Sequence, residues 1–221
     1  MYILTEYNVD GQSFWIPQTD GASYAYHTGT DRQNIDVALS HVPPERNKLC
    51  IQAGGNLGFF PLKFAERFET VITFEPDPQN FHCLCRNVQN DNVVKIQAAL
   101  GNEYNWVDIV SPDPNHVGLC EISRVDRGAN SQRVPTIRID DLNVPACDLI
   151  QLDLEGYEFF ALQGAEKTIR KFKPYLSIEM AGCEMRYGVE AGALSRLIDE
   201  LGYAQIDSVW LDNIYAPIEP S

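Results

Sequence analysis

The sequence has little of what membrane and nucleic-acid-binding proteins need. None of its apolar runs approaches the roughly 20 residues that a helix needs to cross a bilayer. Positive charge is scarce, because 17 Lys and Arg stand against 31 Asp and Glu, and the formal charge is −14. No cluster of Lys and Arg stands out. Since so acidic a surface repels phosphate groups, we expect neither nucleic acid nor an anionic membrane as a partner.

The sequence also lacks targeting and zinc-binding signals. Its N-terminal segment, MYILTEYNVD, contains no basic region and no long apolar run, so we expect no signal peptide and a cytoplasmic protein. The six cysteines form no C-x-x-C pair and no spacing typical of a zinc site. Cys50 and Cys147 lie in apolar runs that predict strands. We therefore expect buried or free thiols in a reducing cytosol.

What the sequence does contain is a regular alternation of strand and helix patterns, which predicts a parallel sheet. Its 221 residues, 44% of them hydrophobic, suit one globular domain with a substantial core. The predicted strands are Lys48–Ala53, Thr70–Glu75, Val93–Gln97, Cys147–Leu154 and Tyr175–Met180. The predicted helices are Leu57–Phe68, Asp77–Gln89, Glu158–Phe172 and Glu190–Leu201.

Hairpin patterns stand at both ends of the chain. Residues 1–17 alternate around an Asp-Gly dipeptide, which predicts a β-hairpin, and a short helix is expected at Asp31–Val42. The chain closes with YAQIDSVW and NIYAPI, which predict an antiparallel hairpin that turns around Asp212 and Asn213.

An insertion interrupts the alternation at residues 102–141. It holds two strand-like stretches, WVDIV and VPTIRI, with a long polar segment between them at Ser111–Arg133. A loop of that length in a compact domain is usually functional or disordered. We therefore expect a single domain, residues 1–221, with an N-terminal extension at 1–45 and inserted strands and a loop at 102–141.

A glycine turn and a strand-end acid indicate a nucleotide site. Gly54, Gly55 and Gly58 follow the first strand of the alternation and let backbone N–H groups approach a ligand closely. Glu75 ends the next strand, 20 residues after Gly55, where an acid in doubly wound folds bonds ribose hydroxyls. Two ligands fit. AGGNLG is one residue from the G-x-G-x-x-G of nicotinamide sites, whereas a looser turn suits S-adenosylmethionine, which has no pyrophosphate.

The later part of the chain favours S-adenosylmethionine. It contains no Tyr-x-x-x-Lys pair for hydride chemistry. A closing antiparallel hairpin is also more typical of methyltransferases than of dehydrogenases. A nicotinamide-dependent oxidoreductase stays open as the alternative.

Five segments stand in order over roughly residues 48–180: IQAGGNLGFF, VITFEPDPQNFHCLCRNV, IQAALGN, TIRIDDL and DLIQLDLEGYEFFALQGA. Together they resemble the FkbM-type family of class I S-adenosylmethionine-dependent methyltransferases. The resemblance implies an α/β fold with a Rossmann-like, seven-stranded, mostly parallel sheet, and methyl transfer, usually to an oxygen of a sugar or natural product. We expect the cofactor to contact Gln52, Gly54, Gly55, Asn56, Gly58, Glu75, Pro76, Ala98 and Asp153. The family usually has Asp where this chain has Gln52, which keeps a hydrogen-bond acceptor without the charge.

Carboxylates crowd at the expected cofactor site. Asp153 ends the fourth parallel strand, Glu155 and Glu158 follow it, and Glu179 ends the next strand. Crowded carboxylates raise one another's pKa, so we expect Asp153 or Glu155 to act as a general base. These acids could instead hold Mg²⁺ or Ca²⁺, or serve structure, as Glu158 would near a helix start. His116, in the long loop, is the second candidate base.

The sequence therefore predicts an S-adenosylmethionine-dependent O-methyltransferase acting on a saccharide or small hydroxylated metabolite. The Ser111–Arg133 segment is expected to form the acceptor-side wall of its site. Amino-group methylation of DNA bases is set aside, because DLEG stands where such enzymes typically have Asp/Asn-Pro-Pro-aromatic. A second alternative, suggested by Gln52, is a protein that binds S-adenosylmethionine without catalysis.

Overall fold

The helices and strands follow one another in the predicted order. The computed structural model describes residues 4–9, 11–18, 29–110, 121–123 and 132–218. The strands are β1 (Leu4–Val9), β2 (Gln12–Pro17), β3 (Leu49–Ala53), β4 (Thr70–Phe74), β5 (Val93–Ile96), β6 (Ala99–Leu100), β7 (Asn105–Val110), β8 (Glu121–Ser123), β9 (Gln132–Ile137), β10 (Leu149–Leu152), β11 (Tyr175–Glu179), β12 (Tyr203–Val209) and β13 (Asp212–Pro217). The helices are α1 (Thr30–His41), α2 (Phe59–Phe64), α3 (Pro78–Asn87), α4 (Glu158–Gln163), α5 (Glu166–Phe172) and α6 (Ala193–Glu200).

Seven strands form the central sheet, in the order β12-β13-β11-β10-β3-β4-β5. The five strands from β11 to β5 pair in parallel. β13 is antiparallel to both of its neighbours, β11 and β12, so it alone runs against the other six. This mixed α/β architecture around a mainly parallel sheet confirms the predicted fold class.

The central strands are buried on both faces, as their sequences require. β3 and β10 read LCIQA and LIQL, and every one of their residues is buried. Leu152 belongs to a hydrophobic core that the sheet forms with α4, α5 and α6. Cys50 belongs to a second core, which the sheet forms with the N-terminal hairpin and α1 to α3. Near-continuous apolar strands of this kind are typical of parallel sheets covered by helices. None of the helices in the described ranges is long and apolar enough to span a bilayer.

The insertion folds as a second sheet of four strands, in the order β6-β9-β7-β8. The two predicted strands correspond to β7 and β9, which pair antiparallel. β6 and β8 were not predicted, because strands of two and three residues are too short to show an alternation. Much of the predicted wall segment, residues 111–120 and 124–131, lies outside the described residues.

The C-terminal hairpin turns two residues earlier than predicted. Trp210, with a φ of 52°, and Leu211 form the turn, and Asp212 already begins β13. The carboxylate of Asp212 accepts a hydrogen bond from the Asn34 amide of α1 and is buried. This contact draws a residue with turn preference into the strand and leaves the two apolar residues before it exposed.

The predicted helix Glu158–Phe172 is split in two at Gly164. A Cβ on Gly164 would lie 2.0 Å from the carbonyl oxygen of Gly101, so the chain packs backbone against backbone here. The Gly164 carbonyl accepts a hydrogen bond from the Asp140 N–H, and the Asp140 carboxylate accepts the N–H groups of Lys167 and Thr168. Because a carboxylate caps these N–H groups, α5 begins as a new helix.

We predict that Gly164→Ala lowers the free energy of unfolding by about 3 kcal/mol. The φ of Gly164 is −76°, which alanine adopts freely, so the loss arises from the clash with Gly101. Chemical denaturation of the variant measures it. Lys167→Ala, an exposed change on α5, is the control and should cost less than about 0.5 kcal/mol. Equal stabilities for the two variants would contradict the close contact.

Candidate active site

A cavity opens at the carboxyl ends of β3, β4 and β10, where open α/β sheets bind their ligands. Six of the residues predicted to bind the cofactor line it: Gly54, Asn56, Glu75, Pro76, Ala98 and Asp153. Gln52, Gly55 and Gly58 do not line it but lie directly behind its wall. The sheet therefore brings the glycine turn and the strand-end acids to one place, as the sequence predicted.

The glycine turn is held against two neighbouring strands. Gly54 has a φ of 82°, and a Cβ there would lie 2.0 Å from the carbonyl oxygen of Asp153. The N–H groups of Gly54 and Gly55 both donate to the carbonyl of Phe74, at 3.1 and 2.8 Å. Gly58, with a φ of 105°, lies against Val88. A side chain at Gly54 would push the turn away from the end of β10.

Gln52 supports this turn from behind. Its side chain is fully buried, its Nε2 donates to the carbonyl of Gly54 at 2.9 Å, and its Oε1 accepts from the hydroxyl of Thr73. A carboxylate has no N–H to donate, so Asp could not make the bond to Gly54. The departure from the family pattern therefore has a structural reason, and Gln52 acts on any bound ligand through the turn.

Glu75 joins the turn to the start of α3. Its two carboxylate oxygens accept the N–H groups of Asn56, at 2.6 Å, and Asp77, at 2.8 Å. Burial raises the pKa of Glu75 to about 8, although these hydrogen bonds and one from Asn80 lower it. These three donors leave one of the four acceptor positions of the carboxylate for a further donor.

A second group of acids lies at the ends of β10, β11 and β13. Asp153 and Glu179 share a hydrogen bond, and Glu179 pairs in register with Asp212. Burial and the neighbouring carboxylates raise the pKa of Asp153 well above its usual range, that of Glu179 to about 8, and that of Asp212 to about 7. Because two adjacent buried carboxyls do not both ionise readily, Asp153 and Glu179 together hold a proton near neutral pH.

The loop after β10 places Glu155 on the cavity wall. Glu155 has a φ of 53°, which is unusual for a residue with a side chain, and Gly156 follows it with a φ of 101°. Glu158 closes the loop, since its carboxylate accepts the N–H groups of Leu154 and Gly156 at 2.6 and 3.3 Å. The structure thus gives Glu158 the structural role that the sequence left open. Burial raises its pKa to about 7.

Several residues of the site were not found from the sequence. Asn34, Gln151, Tyr157 and Asp212 received no role from the sequence, although Gln151 and Tyr157 stand in the segment DLIQLDLEGYEFFALQGA. The signal was polarity in apolar surroundings. Gln151 is buried in β10, and its amide makes no hydrogen bond within the described part of the chain. A buried amide without a protein partner is costly, so packing alone does not explain it.

The sequence also left open a histidine as the base and a metal ion held by the acids. His116 lies outside the described residues, so its role as a base stays a prediction. Among the residues that are described, no group of three or more His, Cys, Asp and Glu side chains is arranged to hold a metal ion.

Comparison with known proteins agrees with the motifs. The family model of the methyltransferase FkbM domain matches residues 52–204, which is more than half of the chain. The chain belongs to the FkbM methyltransferase family. The resemblance drawn from the sequence is therefore confirmed.

Individual relatives are distant. Methyltransferase 1 of Beauveria bassiana (strain ARSEF 2860) is 25% identical over 163 residues, which cover 60% of this chain and 64% of that protein, less than two thirds of its length. An rRNA methylase from Streptococcus thermophilus has a TM-score of 0.52 at 13% identity, over 86% of this chain and 97% of its own. M. jannaschii TYW2, solved with AdoMet, has a TM-score of 0.51 at 14% identity, over 99% and 88%. At these identities the likeness to solved structures shows the fold.

The buried acids predict an unusual dependence of stability on pH. Glu75, Glu158, Glu179 and Asp212 have folded-state pKa values of about 7 to 8, above the usual values of 4.5 for Glu and 3.8 for Asp. Between the two values the folded chain binds more protons than the unfolded chain. The free energy of unfolding therefore falls as pH rises, by at most about 1.4 kcal/mol per pH unit and group.

We predict that the protein unfolds at lower denaturant concentration at pH 8 than at pH 5.5. Asp212→Asn keeps an acceptor for Asn34 but removes one titrating group, so its stability should fall less steeply up to pH 7. Glu69→Gln, an exposed change just before β4, should keep the wild-type slope. A wild-type curve that rises over this range would show that the cluster is ionised in the folded protein.

Proposed function

We propose that the protein is an S-adenosylmethionine-dependent O-methyltransferase that acts on a saccharide or another small hydroxylated metabolite. The observation that carries this proposal is the position of Glu75, which lines the cavity at the end of β4 and holds the glycine turn by its bond to Asn56. Membership of the FkbM family supports methyl transfer over the nicotinamide alternative.

The residues of the cavity fit this cofactor. The remaining acceptor position of Glu75 suits a ribose hydroxyl, and the apolar surfaces of Phe74, Pro76 and Ala98 suit an adenine ring. The cofactor is a cation at its sulfur, and the cluster around Asp153 supplies negative charge once its protons leave. When bound, the cofactor supplies an electrophilic methyl group.

The position of Gln52 gives no support to the alternative that the protein binds S-adenosylmethionine without catalysis. The missing carboxylate suggested that alternative, but the Gln52 amide makes two hydrogen bonds that hold the cavity wall in place. The cavity meanwhile keeps the strand-end acids, Asp153 and Glu155, that catalysis would use.

The acid cluster would take the proton of the acceptor. The methyl–sulfur bond of the cofactor would break, with its electron pair going to sulfur, as the acceptor oxygen bonds the methyl carbon, and the hydroxyl proton would pass to a carboxylate at the end of β10. Asp153 lines the cavity and shares a proton with Glu179, so it accepts a proton when the pair is singly ionised or fully ionised. A raised pKa suits a base that works near neutral pH. Glu155, also on the wall, is the second candidate.

The cofactor site is tested with Glu75→Gln. Loss of a charge-assisted hydrogen bond to the ribose should weaken binding of S-adenosylhomocysteine about 10- to 100-fold in calorimetry. Bound hydroxyls favour the ionised form of Glu75, so the wild type should release more protons on binding near pH 7 than the variant does, which calorimetry in two buffers measures.

Glu69→Gln is the matched control, since Glu69 and Glu75 flank β4 at opposite ends. It should bind like the wild type. Wild-type affinity in Glu75→Gln would remove the cofactor from this strand end and with it the proposed function.

The base is tested with Asp153→Asn and Glu155→Gln in a methyl-transfer assay against a panel of glycans and hydroxylated metabolites. For Asp153→Asn we predict that kcat falls at least about 100-fold, because proton transfer contributes that much to such reactions. Glu155→Gln should lower kcat less than about 10-fold. The opposite ranking would assign the base role to Glu155, and loss of S-adenosylhomocysteine binding would make Asp153 a cofactor ligand instead.

A further inference from the structure

A second open space adjoins the cofactor cavity. It is a groove of about 660 Å³ between the inserted sheet and the start of α4. Tyr157 lines both the groove and the cavity. On β8, Ile122 lines the cavity and its neighbour Ser123 lines the groove. A molecule in the groove would therefore lie next to the loop that carries Asp153 and Glu155.

Most residues that line the groove are polar. Asn102, Glu103 and Asn105 all line it. The Asn102 amide donates to Gln163 at 2.9 Å, and the Asn105 amide donates to Glu103 at 3.5 Å and accepts the Trp106 N–H at 2.8 Å. Each of the three side chains keeps at least one position for a hydroxyl of a ligand. The charges of Asp108 and Arg133 largely cancel, since their side chains form an ion pair with N–O distances of 3.3 and 3.4 Å.

An exposed aromatic ring stands at the same groove. Trp106 lines it, and 63% of the residue is accessible to solvent. An indole ring so exposed offers a flat apolar face to a ligand in the groove. A flat apolar ring beside amides and carboxylates matches a pyranose, which has one face of C–H groups and an edge of hydroxyls.

Other acceptor classes fit the lining less well. A phosphorylated acceptor needs cationic groups, and among the described residues of the groove the single cation, Arg133, is paired with Asp108. An aromatic or lipid acceptor needs a mainly apolar pocket. Here the apolar lining consists of Trp106, Val107, Tyr157 and Phe160, with polar residues between them.

We propose that this groove is the acceptor site and that the acceptor presents a neutral pyranose ring, stacked on Trp106 with its hydroxyls bonded along β7 and the turn before it. This inference rests on the proposed function, since it assigns the acceptor of the same reaction. It places the sugar on the inserted sheet, with the reacting hydroxyl directed past Tyr157.

The test measures binding rather than turnover. A panel of methyl pyranosides is titrated against the protein saturated with S-adenosylhomocysteine, and binding is followed by saturation-transfer NMR. At least one pyranoside should bind saturably. Trp106→Ala should weaken it about 10-fold, which corresponds to one stacked ring, and Trp106→Tyr should restore most of the affinity.

Tyr104→Ala is the matched control. Tyr104 is two residues away and equally exposed, at 65%, but does not line the groove. It should bind pyranosides like the wild type. Three results would each overturn the inference. The loaded protein could prefer phenols such as catechol, it could bind pyranosides equally well after Trp106→Ala, or it could bind no pyranoside. Calorimetry with S-adenosylhomocysteine comes first, because failure there would contradict the proposed function rather than the groove.

Discussion

The site depends on one close contact, between the backbone of Gly54 and the carbonyl of Asp153. These residues follow β3 and β10, which pair in parallel, and the N–H of Asp153 donates to Ala53 at 3.1 Å. No Cβ fits between them. Because the glycine turn and the acid-bearing strand end touch, a ligand cradled by the turn lies directly beside Asp153 and Glu155. The backbone of the sheet therefore places the glycine turn and the acids next to one another, independently of any contact that a side chain makes to a ligand.

Several acids share a small volume at this site, although the chain already has a net charge of −14. Their raised pKa values explain how this is possible. Asp153, Glu179 and Asp212 are kept partly protonated by burial and by one another. Asn34, from the N-terminal extension, supplies Asp212 with a donor that needs no charge. A cationic ligand changes this balance, because it stabilises the ionised carboxylates and lets their protons leave. Protonation thus lowers the negative charge of the cluster in the folded protein. Binding of a cation would favour the ionised carboxylates and make the cluster more negative.

The sequence predicted the features that depend on local periodicity and on short motifs. The alternation located the parallel strands, and the glycine turn with Glu75 located the cavity. It missed what depends on contacts between distant segments: the break at Gly164, which Gly101 and Asp140 impose, and the strand position of Asp212, which Asn34 helps to fix. The role of Gln52 was also beyond reach, since its partner Thr73 becomes a neighbour only across the folded sheet.

The inserted sheet is tied to the loop that carries Glu155 through a 3-10 turn, and this connection fixes the position of one relative to the other. Arg186 and Glu121 join the 3-10 turn Cys183–Tyr187 to β8 with an N–O distance of 2.7 Å. The same turn packs on Gly156, where a Cβ would lie 2.5 Å from the backbone of Cys183. β8 and the strained loop that carries Glu155 therefore rest on one support. Positioning of reactants contributes much of the rate in methyl transfer, and such a support fixes the distance between the groove and the carboxylates.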